Sequence, residues 1–110
     1  MRTIDDADRA AGAILAKGVG AAIITLGEKG ALYRDAARTV HVPAFDAGPV
    51  VETTGAGDAF NGGFATRLAE GADPVEAVRF GCATAAISVT RPGTAPSMPM
   101  REEIEALLRA

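Results

Sequence analysis

With 110 residues, 48% hydrophobic and 23% charged, the chain has the make-up of one small globular domain or part of a larger one, not of a disordered segment. Its net charge of −3, with arginines and lysines scattered and never clustered, argues against nucleic-acid and membrane partners. The single cysteine, Cys82, excludes an internal disulfide and fits a reducing compartment. Met1 to Asp6 lacks the apolar core of a signal peptide, and the apolar run Val19 to Leu26 is too short to span a bilayer, so a cytoplasmic location is expected.

The elements follow in order. Ala7, Ala10, Ala11, Ile14 and Leu15 recur at helical spacing, predicting a helix from Asp5 to Lys17 that ends at Gly18. Ala21 to Leu26 reads as a buried strand, and helix, glycine, strand in that order suggests the αβ half of a parallel-sheet unit. Gly27 to Gly30 is a tight turn into a strand at Ala31 to Arg34. A further turn at Asp35 to Arg38 and a strand at Thr39 to Val42 suggest an antiparallel hairpin, stopped by Pro43. Phe45 to Val51 is irregular. A helix follows from Asp58 to about Glu70, closed by Gly71. Asp73, Pro74 and Glu76 open another helix as cap, first-turn proline and capping-box acid, with Val75, Val78, Cys82, Ala85, Ala86 and Val89 on one apolar face. Its alanines and Gly81 predict close helix packing. A last helix starts at Pro99 and carries Ile104, Leu107 and Leu108.

Glu52, Thr53, Thr54, Gly55, Ala56, Gly57, Asp58, Ala59 and Phe60 form the most informative stretch. Two glycines lead directly into a helix with an acid at its mouth. First-turn N–H groups lack intrahelical partners and carry partial positive charge, so such an end attracts anions. Asp58 could take a proton from a hydroxyl held beside the anion. Phosphoryl transfer follows as the expectation, with Asp58 as base. A Rossmann fingerprint needs glycine where Phe60 stands, and a Walker loop needs lysine where Gly63 stands. What remains is an anion hole without lysine. The structural alternative makes Asp58 a plain helix cap.

This stretch resembles the C-terminal signature of the ribokinase-like sugar kinases, the phosphofructokinase-B family. Ile24 to Gly30 is similar to that family's nucleotide-contacting turn, and Ser88 to Ser97 to its C-terminal loop, continuing through Arg101 to Ile104. The resemblance runs from about Asp5 to the end. It implies an α/β fold: the C-terminal part of a three-layer α/β/α architecture, with a partial sheet, a short hairpin and about four helices.

The resemblance further implies ATP-dependent phosphorylation of a sugar primary hydroxyl, D-ribose to ribose 5-phosphate above others. Asp58 matches the base and the substrate contact, and Gly55, Ala56 and Gly57 match the anion hole. Thr25, Leu26, Gly27, Glu28, Lys29 and Gly30 match positions lining the nucleotide, with Gly57 and Asp58 against its phosphates. Cys82 falls where the family borders the adenine, although a small buried packing residue explains it as well. A monovalent cation, usually potassium, is implied between Glu52 and Thr54 on one side and Ser88, Arg91, Gly93 and Ser97 on the other. Glu52 stands where the family has aspartate. Mg2+ is implied with the ATP. His41, the only histidine, reads as exposed and structural, and Tyr33 and the phenylalanines as core.

Family members are longer. Their sugar pocket, lid strands and Asn-x-x-Glu magnesium motif have no counterpart here, so residues 1–110 are expected to be the C-terminal nucleotide-binding and catalytic portion of a kinase domain, nearly inactive alone. Three alternatives stay open: a non-catalytic nucleotide-binding module, a fragment that folds as a homodimer over uncovered sheet surface, and a kinase for another sugar or nucleoside.

Overall fold

The structure is a computed structural model that describes residues 4–18, 20–51, 53, 55–91 and 101–109. The chain divides into two compact units, Met1–Ala44 and Phe45–Ala110.

The first unit places one helix on a small sheet. Helix α1 spans Ile4–Leu15, followed by strands β1 (Ala21–Thr25), β2 (Ala31–Asp35) and β3 (Thr39–Val42). The strands pair in the order β1-β2-β3. Both pairings are antiparallel, with Ile24 opposite Leu32 and His41 also opposite Leu32. The expected parallel unit is therefore not what β1 forms with its described neighbour. The turn at Gly27 is so short that the chain re-enters alongside β1 in the reverse direction, whereas a parallel pairing needs a long crossover.

Alternation along the strands sends Ala22, Ile24 and Leu32 to one face, where α1 lays Ala7 and Ala11, both fully buried. Small residues let the helix come close. Arg34 lies on the same face and donates from Nη1 to the Asp8 carbonyl (2.9 Å) and to Asp8 Oδ1 (3.0 Å). It also passes over Gly12, where a Cβ would stand 2.7 Å from Nη1. At the β2–β3 turn, Asp35 accepts from the Ala37 and Arg38 amides, each at 2.8 Å, and from the Tyr33 hydroxyl at 2.7 Å. The Tyr33 hydroxyl and these amides hold the Asp35 carboxyl below the usual carboxylate range.

Among its described residues the second unit has three helices: α2 (Ala56–Ala69), α3 (Pro74–Ser88) and α4 (Arg101–Arg109). Helix α2 starts two residues before the expected Asp58. Gly71 follows it with φ +88°, the left-handed stop its glycine predicts. Asp73 caps α3 by accepting from the Val75 amide at 3.0 Å. Helix α3 is not apolar on one face only. It packs on α2 and on α4 at once, so Val78, Gly81, Ala83 and Thr84 are all buried.

Contact with α2 is very close, as the small residues predict. A Cβ on Gly81 would stand 2.9 Å from the Phe60 ring, and one on Gly63 would stand 2.4 Å from Thr84 Oγ1. The buried Thr84 hydroxyl donates to the Phe80 carbonyl at 2.7 Å and leaves no unmet donor. On the other side Phe80, Ala83 and Ile87 enclose Ile104 of α4. Arg101 joins the start of α4 to the end of α2 through a two-pronged pair with Glu70, one prong being Nη2 to Oε1 at 2.9 Å. That guanidinium holds the Glu70 carboxyl below its ordinary range.

Candidate active site

The glycine turn of the second unit is built from both directions. Upstream, the Val51 amide donates to the Val89 carbonyl at 2.6 Å, holding the approach to the turn against the end of α3. Downstream, Gly55 is the cap residue of α2, with φ −92° and no side-chain cap bond. Its carbonyl accepts from the Ala59 amide at 2.9 Å, while the Ala56 amide donates to the Thr53 carbonyl at 3.1 Å. Among the expected anion-hole residues, Gly55 is buried, Ala56 is half-buried with its amide engaged, and Gly57 is exposed. Nothing lies within 4 Å of where a Gly57 Cβ would be, so the backbone there is open to an incoming group.

Because the cap is Gly55, Asp58 sits at the third helical position and does not cap the helix. It is exposed. No hydrogen bond or ion pair engages its carboxylate among the described residues. Its carboxylate thus stands exposed one residue from an open glycine at a helix mouth, a place where an acid can meet an incoming group.

In the first unit, Gly27–Lys29 forms one turn of 3₁₀ helix between β1 and β2. It closes through Leu26 N–H to the Gly30 carbonyl (2.8 Å), Lys29 N–H to the Leu26 carbonyl (3.2 Å) and Gly30 N–H to the Gly27 carbonyl (3.1 Å). Gly30 has φ +92°, and a Cβ on it would stand 1.9 Å from the Val42 carbonyl oxygen, so only glycine fits. Thr25, Gly27, Glu28 and Lys29 are exposed, and Leu26 is half-buried against the α1 core. An exposed, tightly bonded turn of this kind can form a wall for a flat ligand.

His41 departs from its reading as an exposed residue. It is half-buried, and its Nε2 lies 2.7 Å from the Lys29 carbonyl. Since a carbonyl only accepts, Nε2 carries the proton and donates. Sequence reasoning missed this link. The β2–β3 register could have revealed it, because a hairpin that sets Val42 opposite Ala31 brings His41 beside the turn that precedes β2.

Cys82 is 6% exposed on α3, and burial pushes its thiol up to about 11. It is therefore a neutral, small packing group near pH 7. Of the expected cation positions, Glu52, Thr54, Gly93 and Ser97 lie outside the described residues. Ser88, 2% exposed, accepts through its carbonyl from the Arg91 amide at 3.2 Å, and the Arg91 side chain pairs with Glu103. Among the described residues no group of three His, Cys, Asp or Glu side chains could hold a metal ion. No described helix is long and apolar enough to cross a membrane.

Known proteins match the chain along nearly its whole length. The profile of the pfkB family carbohydrate kinases matches residues 2–101. The chain belongs to that family of carbohydrate kinases. It is similar to the ribokinase of Bacillus subtilis, with 46% identity over 77% of this chain and 29% of that protein. It is also similar to the deoxyribokinase of Salmonella typhi, with 42% identity over 96% of this chain and 34% of that protein.

Among solved structures, the ribokinase of Arabidopsis thaliana complexed with ribose and ATP superposes with a TM-score of 0.91 at 33% identity, over 98% of this chain and 35% of that one. A protein named ribokinase II from Escherichia coli, in complex with ATP and Mg2+, gives 0.85–0.86 as TM-score range across two structures, 0.86 with those ligands, at 32% identity over 93% of this chain and 33% of that one. Phosphofructokinase-2 from Escherichia coli in complex with potassium gives 0.84 at 29% identity, over 97% of this chain and 34% of that one. The described helices and antiparallel sheet thus have the ribokinase fold. The chain spans about a third of the length of these relatives.

Proposed function

We propose that the chain forms the phosphoryl-transfer part of an ATP-dependent kinase acting on a sugar primary hydroxyl, D-ribose to ribose 5-phosphate. The observation that carries this reading is Asp58, exposed and without a partner among the described residues, at the mouth of α2 beside the open backbone of Gly57. Asp58 takes the hydroxyl proton as the sugar oxygen attacks the γ-phosphorus, and the bond from that phosphorus to the departing ADP oxygen breaks. The Gly55–Gly57 backbone and the α2 dipole stabilise negative charge on the transferred group without reorganising. Thr25 to Gly30 serve as a wall for the nucleotide.

Mg2+ would come with the triphosphate, held by its phosphate oxygens, and would supply charge neutralisation there. Potassium would be held mainly by backbone carbonyls from the Glu52–Thr54 and Ser88–Ser97 stretches, and the Val51–Val89 bond supports this because it joins the residue before Glu52 to the residue after Ser88. The sugar pocket belongs to polypeptide that this chain does not match in its relatives, and the protein works in the cytoplasm.

A chimera tests the function. This chain replaces the matching segment of the Bacillus subtilis ribokinase, and ADP release is followed with ribose and ATP. Ribose-dependent turnover that Asp58→Asn abolishes is the expected result. Turnover that survives Asp58→Asn removes the assigned base. The similarity to a deoxyribokinase across nearly the whole chain favours 2-deoxyribose as the second candidate, and competition between the two sugars in the same assay separates them.

A further inference from the structure

We propose that His41 is a positioning residue for the nucleotide wall, locking the Lys29–Gly30 peptide in the one orientation a nucleotide can use. The proposal rests on the reading of Thr25 to Gly30 as that wall. A peptide group followed by glycine at positive φ is the soft point of a tight turn, because glycine tolerates the rotation that flips the plane. Here that peptide is gripped at both ends. The Gly30 N–H donates to the Gly27 carbonyl at 3.1 Å, and the Lys29 carbonyl accepts from His41 Nε2 at 2.7 Å. The turn's own bonds use the carbonyls of Leu26, Gly27 and Gly30, so the grip on Lys29 comes from outside it.

The anchor itself is rigid. His41 lies on β3 directly opposite Leu32, which is 1% exposed, and Val42 is opposite Ala31. Gly30 is seated so tightly against the Val42 carbonyl that strand and turn cannot slide past one another. A flipped peptide would break both bonds and reverse the carbonyl and N–H of the turn's surface. Holding a binding loop in its bound form raises affinity by removing the cost of ordering it.

The test uses this chain, calorimetry with a non-hydrolysable ATP analogue, and amide hydrogen exchange. His41→Phe keeps a ring beside Leu32 but removes the donor. His41→Gln places an N–H at similar reach, and His41→Glu places an acceptor there. The Phe and Glu variants should bind the analogue roughly 3- to 10-fold more weakly, as loss of one hydrogen bond implies. They should also speed exchange of the Gly30 amide while sheet amides stay protected, and His41→Gln should restore both properties. Unchanged Gly30 exchange in the Phe and Glu variants, or equal losses in the Gln variant, overturns the proposal. An unsubstituted chain that binds no analogue removes the nucleotide reading and this proposal with it. Intact binding with unaltered Gly30 exchange removes this proposal alone.

Discussion

Val51 and Val89 are joined by a 2.6 Å backbone hydrogen bond, although helices α2 and α3 both lie between them in sequence. The bond ties the approach to the Gly55 turn to the residue that follows α3. Packing of α3 on α2 through Gly63, Gly81 and Thr84 makes it geometrically available. The bond joins the residue before Glu52 to the residue after Ser88, and both Glu52 and Ser88 belong to the proposed cation site.

Potassium should therefore strengthen phosphate binding at the turn. Affinity for the ATP analogue is expected to be higher in potassium chloride than in tetramethylammonium chloride at equal ionic strength, and Glu52→Gln should narrow the gap. Identical affinities in the two salts would remove the cation from the site.

Asp58→Asn should lower turnover of the chimera by about 10²–10⁴-fold, the usual contribution of a general base. Analogue binding and helix content should stay close to the parent, because the carboxylate is exposed and does not cap α2. A large stability loss measured by urea titration would instead make Asp58 structural.

Two glycines should be intolerant for different reasons. Gly30→Ala forces a side chain into φ +92° and onto the Val42 carbonyl, and a cost of about 2 kcal/mol or more is expected. Gly81→Ala overpacks the α2–α3 contact against Phe60, with about 1–3 kcal/mol lost. Urea midpoints at constant slope measure both. Gly57→Ala, facing open space, is the control and should cost far less.

Acid should loosen the β2–β3 turn. The folded Asp35 carboxyl titrates below its unfolded value, held down by the Tyr33 hydroxyl and the Ala37 and Arg38 amides. Its stabilisation is thus complete above the unfolded carboxylate pKa and is lost as pH falls through the lower folded one. Stability measured from neutral pH downward should fall less steeply in Asp35→Asn than in the parent.

Cys82 gives the opposite sign. Its folded thiol is raised to about 11 by burial, so the folded state keeps its proton where the unfolded chain loses it. Stability should decline as pH rises from about 8.5 toward 11, and Cys82→Ala should flatten that decline. Alkylation near pH 8 should be slow until the protein is unfolded.

Much of the outline was legible in the chain order. Gly71 and Asp73-Pro74 mark the end of α2 and the start of α3 because they act locally, through φ and through a side-chain cap. Alanine and glycine spacing announced the close packing of α3, but not that it would be enclosed by α2 and α4 together. Burial on two sides depends on partners far away in sequence, which periodicity cannot name.

The same division holds at the site. The sequence by itself determined the Gly55–Gly57 turn with its acid and the Gly27–Gly30 turn, since glycine's freedom and a helix mouth's polarity are properties of a few adjacent residues. Tertiary structure decided that β1 runs antiparallel to β2, that Gly55 and not Asp58 caps α2, and that Val51 meets Val89. It also turned His41 from an isolated histidine into a donor to Lys29, because only strand register brings a side chain to a carbonyl in a distant turn.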